Sequence, residues 1–277
     1  MITLPFPGQP TREMLTPLSL PERVGYQVGA LVNETRPGKW AASAYLTWFC
    51  QPWMRFLMDP VSVLVGVEHV PKDRAYILAA NHRTFWDFYV TMCQIWPHMP
   101  RDHKPYLYCP VRSEFFYSKL VGTALNLAVS AHSMYPPIFR DDRGADLNEI
   151  AVQKCLDLLQ FSPRTVIAIH PEGKRNKTDD PYALLPARSG VGRIALQSEA
   201  PVIPLFINGI DNDIGQILKN RQQPAPGTVR MHFGAPVDLS PWADRADDPA
   251  AHQEAAELIH RHIARLGDEE RAARAAG

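Results

Sequence analysis

Short, uninterrupted apolar runs alternate with stretches of helical periodicity along most of this chain, and that alternation restricts its fold more than any other feature. The apolar runs are residues 61–67, 75–80, 106–109, 165–169, 202–207 and 229–233. The helical stretches are 86–96, 115–126, 146–159, 189–198 and 252–266. Several of the runs lack polar alternation, which marks strands covered on both faces. Strands interleaved with helices predict an α/β fold: a mostly parallel central sheet flanked by helices. Pro-rich breaks at 96–105 and 223–227 read as loops.

The ends differ. Residues 1–38 are rich in Pro and Gly, with a helical candidate at 22–34. Residues 39–58 concentrate aromatic rings: Trp40, Tyr45, Trp48, Phe49, Trp53 and Phe56. Two readings stay open, a membrane-interface helix or a core helix packed on the sheet, with Pro52 interrupting it. The segment is too short and too broken to span a bilayer. The expected organisation is an N-terminal helical, membrane-interface segment at 1–58, an α/β domain at 59–266 and a frayed, disordered tail at 267–277.

Composition removes several classes. Lys+Arg and Asp+Glu both total 29, so no bulk charge draws the chain to nucleic acid. Cys50, Cys93, Cys109 and Cys155 lie far apart and form no C-x-x-C, which argues against a zinc ribbon or a disulfide framework and favours a reducing compartment. The first residues carry no charged-then-apolar leader pattern.

Two turns carry chemistry. The run 75–80 ends in Asn81-His82-Arg83-Thr84-Phe85-Trp86-Asp87. On a regular helix, a separation of five residues would point His82 and Asp87 roughly 140° apart. They meet only if the histidine sits on the strand-to-helix turn and the aspartate about one helical turn in. A carboxylate on one imidazole nitrogen then fixes the tautomer and leaves the other nitrogen as a base. The run 165–169 ends in His170-Pro171-Glu172-Gly173-Lys174-Arg175, where Gly173 permits a tight turn and Arg175 can grip a phosphate. Backbone amides at 81–84 or near Gly173 are candidate oxyanion donors. Arg188-Ser189-Gly190 precedes a helix and reads either as an anion site or as close backbone packing. There is no G-x-S-x-G elbow.

Taken in order, these blocks resemble the glycerolipid acyltransferase family, whose best-known members are 1-acylglycerol-3-phosphate acyltransferases. The family pattern is N-H-x(4)-D, an arginine-bearing block, F-P-E-G-T-R-S and V-I-P-V. This chain offers Asn81-His82 with Asp87, then Arg140 and Arg143 within 137–144, then residues 170–176, then Val202-Ile203-Pro204-Leu205. The resemblance covers roughly residues 60 to 240. It implies His82 as base and Asp87 as its orienting partner. Glu172, Gly173 and Arg175 would bind the acceptor phosphate together with Arg140 or Arg143, and Pro204 would lie in the acyl-donor region. No metal and no cofactor are implied, acyl-CoA or acyl-carrier protein being the co-substrate. The partners implied are a lysophospholipid, most simply 1-acylglycerol-3-phosphate, and the cytoplasmic face of a membrane. The chain departs from the pattern at His170 for phenylalanine, Lys174 for threonine and Asn176 for serine. Those changes bear on the acceptor rather than on the reaction. Other acceptors, glycerol 3-phosphate or a glycolipid alcohol among them, a thioester hydrolase and a non-catalytic lipid-binding protein are the rival readings.

Overall fold

A computed structural model describes residues 9–100, 104–140 and 145–276. In chain order its strands are β1 (Ser62–Val65), β2 (Tyr76–Ala80), β3 (Tyr106–Tyr108), β4 (Val111–Arg112), β5 (Pro137–Ile138), β6 (Thr165–Ile169), β7 (Val202–Asn208) and β8 (Val229–Phe233). The chain divides into two compact units. One joins the described residues up to Pro52 with Tyr106–Phe161; the other joins Trp53–Pro105 with the chain from Ser162. The expected boundary at residue 58 is therefore replaced by a discontinuous one. Helices Leu20–Asn33 and Leu120–Ser130 pack together. A Cβ on Gly25 would come within 2.8 Å of Thr123 Oγ1. Buried Glu34 takes bonds from Tyr135 Oη and Lys154 Nζ, tying segments far apart in sequence.

In the second unit the strand order is β1-β8-β7-β2-β6. β1 runs parallel to β8, β8 antiparallel to β7, and both β7 and β6 run parallel to β2. Leu78 registers with Ala168 on one side and Ile203 on the other. β2 is buried at every position, as its unbroken apolar run predicts. Because β2, β6 and β7 are parallel, the turns that follow them share one edge of the sheet, where α/β proteins place ligands.

Helices Gly190–Ser198 and Pro249–Ala276 pack against each other, and the long helix also lies on β7. A Cβ on Gly192 would sit 2.0 Å from His252 O, so close backbone packing accounts for this glycine. The tail expected to fray from residue 267 instead continues the long helix to Ala276. Gly267 lets it lie on Phe206, and fully buried Glu270 pairs with Arg274 and accepts from Asn208 Nδ2. The helix Ile214–Gln222 was not expected, because it buries only Ile217 and so carries little periodic signal.

Pro204 lies in an inner strand, not at an edge. Its carbonyl accepts Gly234 N, so its ring nitrogen also faces β8, just beyond the pair Leu205 and Phe233. The missing donor falls at the end of that ladder, where the loss is one bond. The aromatic segment runs as helix Arg36–Tyr45, a π-helical turn Leu46–Cys50 and helix Gln51–Met58. Gln51 N bonds Leu46 O, and this widened turn makes room for the ring of Pro52 without breaking the chain's course. Trp40 is 69% exposed, Trp48 76% and Phe49 67%, which overturns the core reading of these rings.

Candidate active site

His82 follows β2 by one residue and lies outside any helix; Asp87 opens helix Asp87–Ile95. The aspartate therefore stands at the first helical position rather than a turn inside. Its Oδ2 accepts from His82 Nδ1 at 3.0 Å, Arg83 N at 2.8 Å and Thr84 N at 2.9 Å. Its Oδ1 accepts from Thr84 Oγ1. Thr84 Oγ1 also accepts Trp86 N, so Thr84 and Asp87 fold the turn just before the helix while the same carboxylate holds the imidazole. Burial pushes the Asp87 carboxyl upward, but its bond to His82 and the neighbouring positive charge outweigh this and hold it below its ordinary range. A carboxylate on Nδ1 places the proton there and leaves His82 Nε2 as an acceptor on a partly exposed ring.

Asn81 fastens the same turn from behind. Its side chain accepts from Ile207 N at 2.7 Å and donates to Ile207 O at 2.9 Å, extending the β2–β7 pairing by a side chain. The loop after β7 adds Asn212, whose Oδ1 accepts Phe85 N and whose carbonyl accepts Trp86 Nε1. No spacing in the sequence signals either contact.

The turn after β6 lies directly against this one. Asn176 N donates to His82 O at 2.8 Å. Glu172 Oε1 accepts His82 N at 2.9 Å and its Oε2 accepts Leu185 N at 2.7 Å. Glu172, which the resemblance placed at the acceptor phosphate, turns its buried carboxylate to these two backbone amides. Desolvation raises its pKa, with the two amide donors opposing. Gly173 takes φ +63°, the left-handed turn that glycine permits. Of the amides proposed as oxyanion donors, His82 N is taken by Glu172, Arg83 N and Thr84 N by Asp87, and Gly173 N by His170 O.

Arg175 lays its guanidinium on the Phe85 ring, 3.6 Å from the centroid. Among the described residues no carboxylate pairs with it, so a planar cation is held in place with its edges available. Arg83 is engaged differently, donating to Thr178 O at 2.6 Å and Asp180 O at 3.2 Å. A cleft of about 260 Å³ opens here, lined by Arg83, Asp87, Pro181 and residues 207–211. Arg188 is exposed, and its amide donates to Pro171 O. Arg140 follows β5 in the other unit and is exposed; Arg143 lies outside the described residues. Pro204 sits inside β7.

His170 stacks face to face on His82 with centroids 3.7 Å apart and planes 7° apart. Ligand nitrogens of these two rings and an Asp87 oxygen lie within 4.8 Å of one another. Parallel rings send their lone pairs side by side instead of toward one point, so the arrangement is a stack in form, not a chelate. Enclosure pushes His170 down to about 3, assisted by the His82 charge and opposed by Asp87.

Comparisons with known proteins follow the same lines. A chain of Streptococcus pneumoniae named 1-acyl-sn-glycerol-3-phosphate acyltransferase is 25% identical over 169 residues, covering 61% of this chain and 52% of that one. A human protein named DGAT1/2-independent enzyme synthesizing storage lipids is 26% identical over 149 residues, covering 52% of this chain and 39% of its own. The chain thus spans about half the length of the streptococcal relative and less of the human one. The crystal structure of the 1-acyl-sn-glycerophosphate acyltransferase PlsC from Thermotoga maritima shares the fold, with TM-score 0.54, 18% identity and coverage of 90% of this chain and 89% of that one. The acyltransferase family pattern matches residues 62–208. That match runs from β1 to the end of β7, across the turns that follow β2 and β6, and on it the chain belongs to the acyltransferase family.

Proposed function

We propose that this protein is a peripheral membrane O-acyltransferase that moves a fatty acyl group from a thioester to the hydroxyl of a lysophospholipid. The observation that carries this reading is His82, oriented through Nδ1 by Asp87 and presenting an unprotonated Nε2. An alcohol attacks a thioester only as its proton leaves, and Nε2 takes that proton. The proton then passes to the departing thiolate. No enzyme nucleophile is required, and all four cysteines are buried. Arg175, poised on Phe85, fits the phosphate of an acceptor such as 1-acylglycerol-3-phosphate, giving phosphatidic acid. Glycerol 3-phosphate and other lipid alcohols would use the same chemistry. Acyl-CoA or acyl-carrier protein is the donor, with the β7 segment around Pro204 assigned to its binding. Arg140 or Arg143 is proposed as a second phosphate contact.

A lipid acceptor calls for a lipid-facing surface, and the first unit offers one. Helix Leu120–Ser130 is built inside out: Gly122, Thr123, Asn126 and Ser130 are buried, while Leu120, Val121, Leu125 and Leu127 are exposed. Tyr45 Oη bonds Ala128 O, bringing this helix beside the exposed Trp48 and Phe49. Residues 40–50 and 120–130 contain no ionisable acid or base other than Tyr45 and Cys50, and exposed Arg36 and Lys119 flank them. Apolar rings edged by cations suit the headgroup boundary of an anionic bilayer. No described helix is long and apolar enough to cross a membrane.

Free-thiol release from acyl-CoA, measured with and without lysophosphatidate in micelles, tests the function. Acceptor-dependent release with phosphatidate formed is expected, and His82→Ala should lower it by roughly 10²–10⁴-fold while the circular dichroism is unchanged. Release without acceptor would make the protein a hydrolase. No release with either donor would leave a lipid-binding protein.

A further inference from the structure

His170 follows β6 directly and its ring is held on three sides. Nδ1 lies 3.0 Å from Ala80 O, so this nitrogen carries the proton and Nε2 does not. One face stacks on His82; the other stacks on Phe88 at 3.9 Å and 21°. Ala80 ends β2 and Phe88 lies in the first turn of helix Asp87–Ile95, so the two elements that flank the His82 turn both fix this ring.

His82 has one ring hydrogen bond among the described residues, from Nδ1 to Asp87. A single hydrogen bond leaves an imidazole free to swing about the donor–acceptor line, which carries Nε2 off any fixed direction. A flat ring packed on its face removes that freedom. We propose that His170 is a positioning residue: a neutral, flat shelf that fixes the plane of His82 and so aims Nε2 at the acceptor hydroxyl. The inference rests on the acyltransferase reading of the same site.

Neutrality suits the task. His82 gains a proton during the reaction, and a second charge stacked 3.7 Å away would oppose that step. Enclosure between two rings keeps His170 uncharged at working pH. No bond forms or breaks at His170 itself. Its Nδ1–H distinguishes it from a plain aromatic ring, because the bond to Ala80 O sets the shelf's own orientation.

Three variants separate the flat face from the nitrogen and from the filled volume. His170→Ala and His170→Leu should each lower kcat roughly 10–100-fold through loss of aim, with both KM values changed less than about threefold. His170→Phe restores a flat face and should return kcat to within about fivefold of wild type. A second measurement does not depend on turnover. ¹³C relaxation at His82 Cδ2 and Cε1 should show a rigid ring in wild type and His170→Phe. A less ordered ring is expected in the alanine and leucine variants, where the Asp87 bond still fixes the tautomer but no longer the plane. Should alanine unfold the protein, leucine, which fills the space, carries the comparison. Unchanged kcat and unchanged His82 ring relaxation in His170→Leu would overturn the proposal. So would a phenylalanine variant as slow as leucine, which would assign the effect to the nitrogen. A wild-type protein that transfers no acyl group overturns the proposed function alone, and the order of the His82 ring then decides the shelf by itself.

Discussion

Asp87 performs two tasks. It folds the turn before its helix through the amides of Arg83 and Thr84, and it orients His82 with the same oxygen. That folded turn is what allows a separation of five residues to bring carboxylate and imidazole together. His170 offers a titration test. Its pKa is pushed down to about 3, against an unfolded value near 6.5. As pH falls through 6.5 the unfolded chain takes up this proton and the native protein does not, so stability is lost on acidification until the folded value is reached. Between pH 7 and pH 5 this loss is roughly 1–2 kcal/mol. Urea midpoints should therefore fall less over that range in His170→Phe than in wild type; equal falls would show that the ring titrates normally. Arg175→Ala should raise KM for a phosphate-bearing acceptor roughly 10–100-fold with kcat nearly unchanged, the loss of one charge-assisted grip. A change confined to the donor's KM would move the phosphate site elsewhere.

The elements that matter most are turns at the carboxyl edge of the sheet, and side chains join them where the ladders stop. Asn81 bridges to β7 and Glu172 joins the turns after β2 and β6. The sequence shows that both turns carry polar residues, and Gly173 marks the second, so their place at strand ends was legible. Which carboxylate holds the imidazole and which takes backbone amides alone was not, because Glu172 and Asp87 carry the same group in similar local patterns. Helix–helix contact depends on absent side chains as well. A methyl at Gly192 would meet His252 O at 2.0 Å. Gly192→Ala should destabilise the protein by about 1–3 kcal/mol, read from denaturant midpoints, as an overpacked contact does. No loss would mean that the long helix moves aside freely.

For the molecule as a whole, the proposed bilayer contact rests on the inverted helix Leu120–Ser130. Paired Val121→Glu and Leu125→Glu changes remove exposed apolar side chains and should weaken sedimentation with anionic vesicles roughly tenfold or more, leaving the fold intact. Vesicle binding that persists, or a dimer that the changes disrupt, would assign this face to a second copy. Local pattern determined the six apolar strand runs, the mostly parallel sheet and the place of the His82 turn after β2, because each is set by neighbouring residues. Tertiary structure alone decided that residues 106–161 join the N-terminal segment, that the C-terminal helix runs on through Gly267, and that His170 stacks on His82. Each of these depends on which distant surface a residue meets, and a glycine or a histidine carries no local mark of its partner.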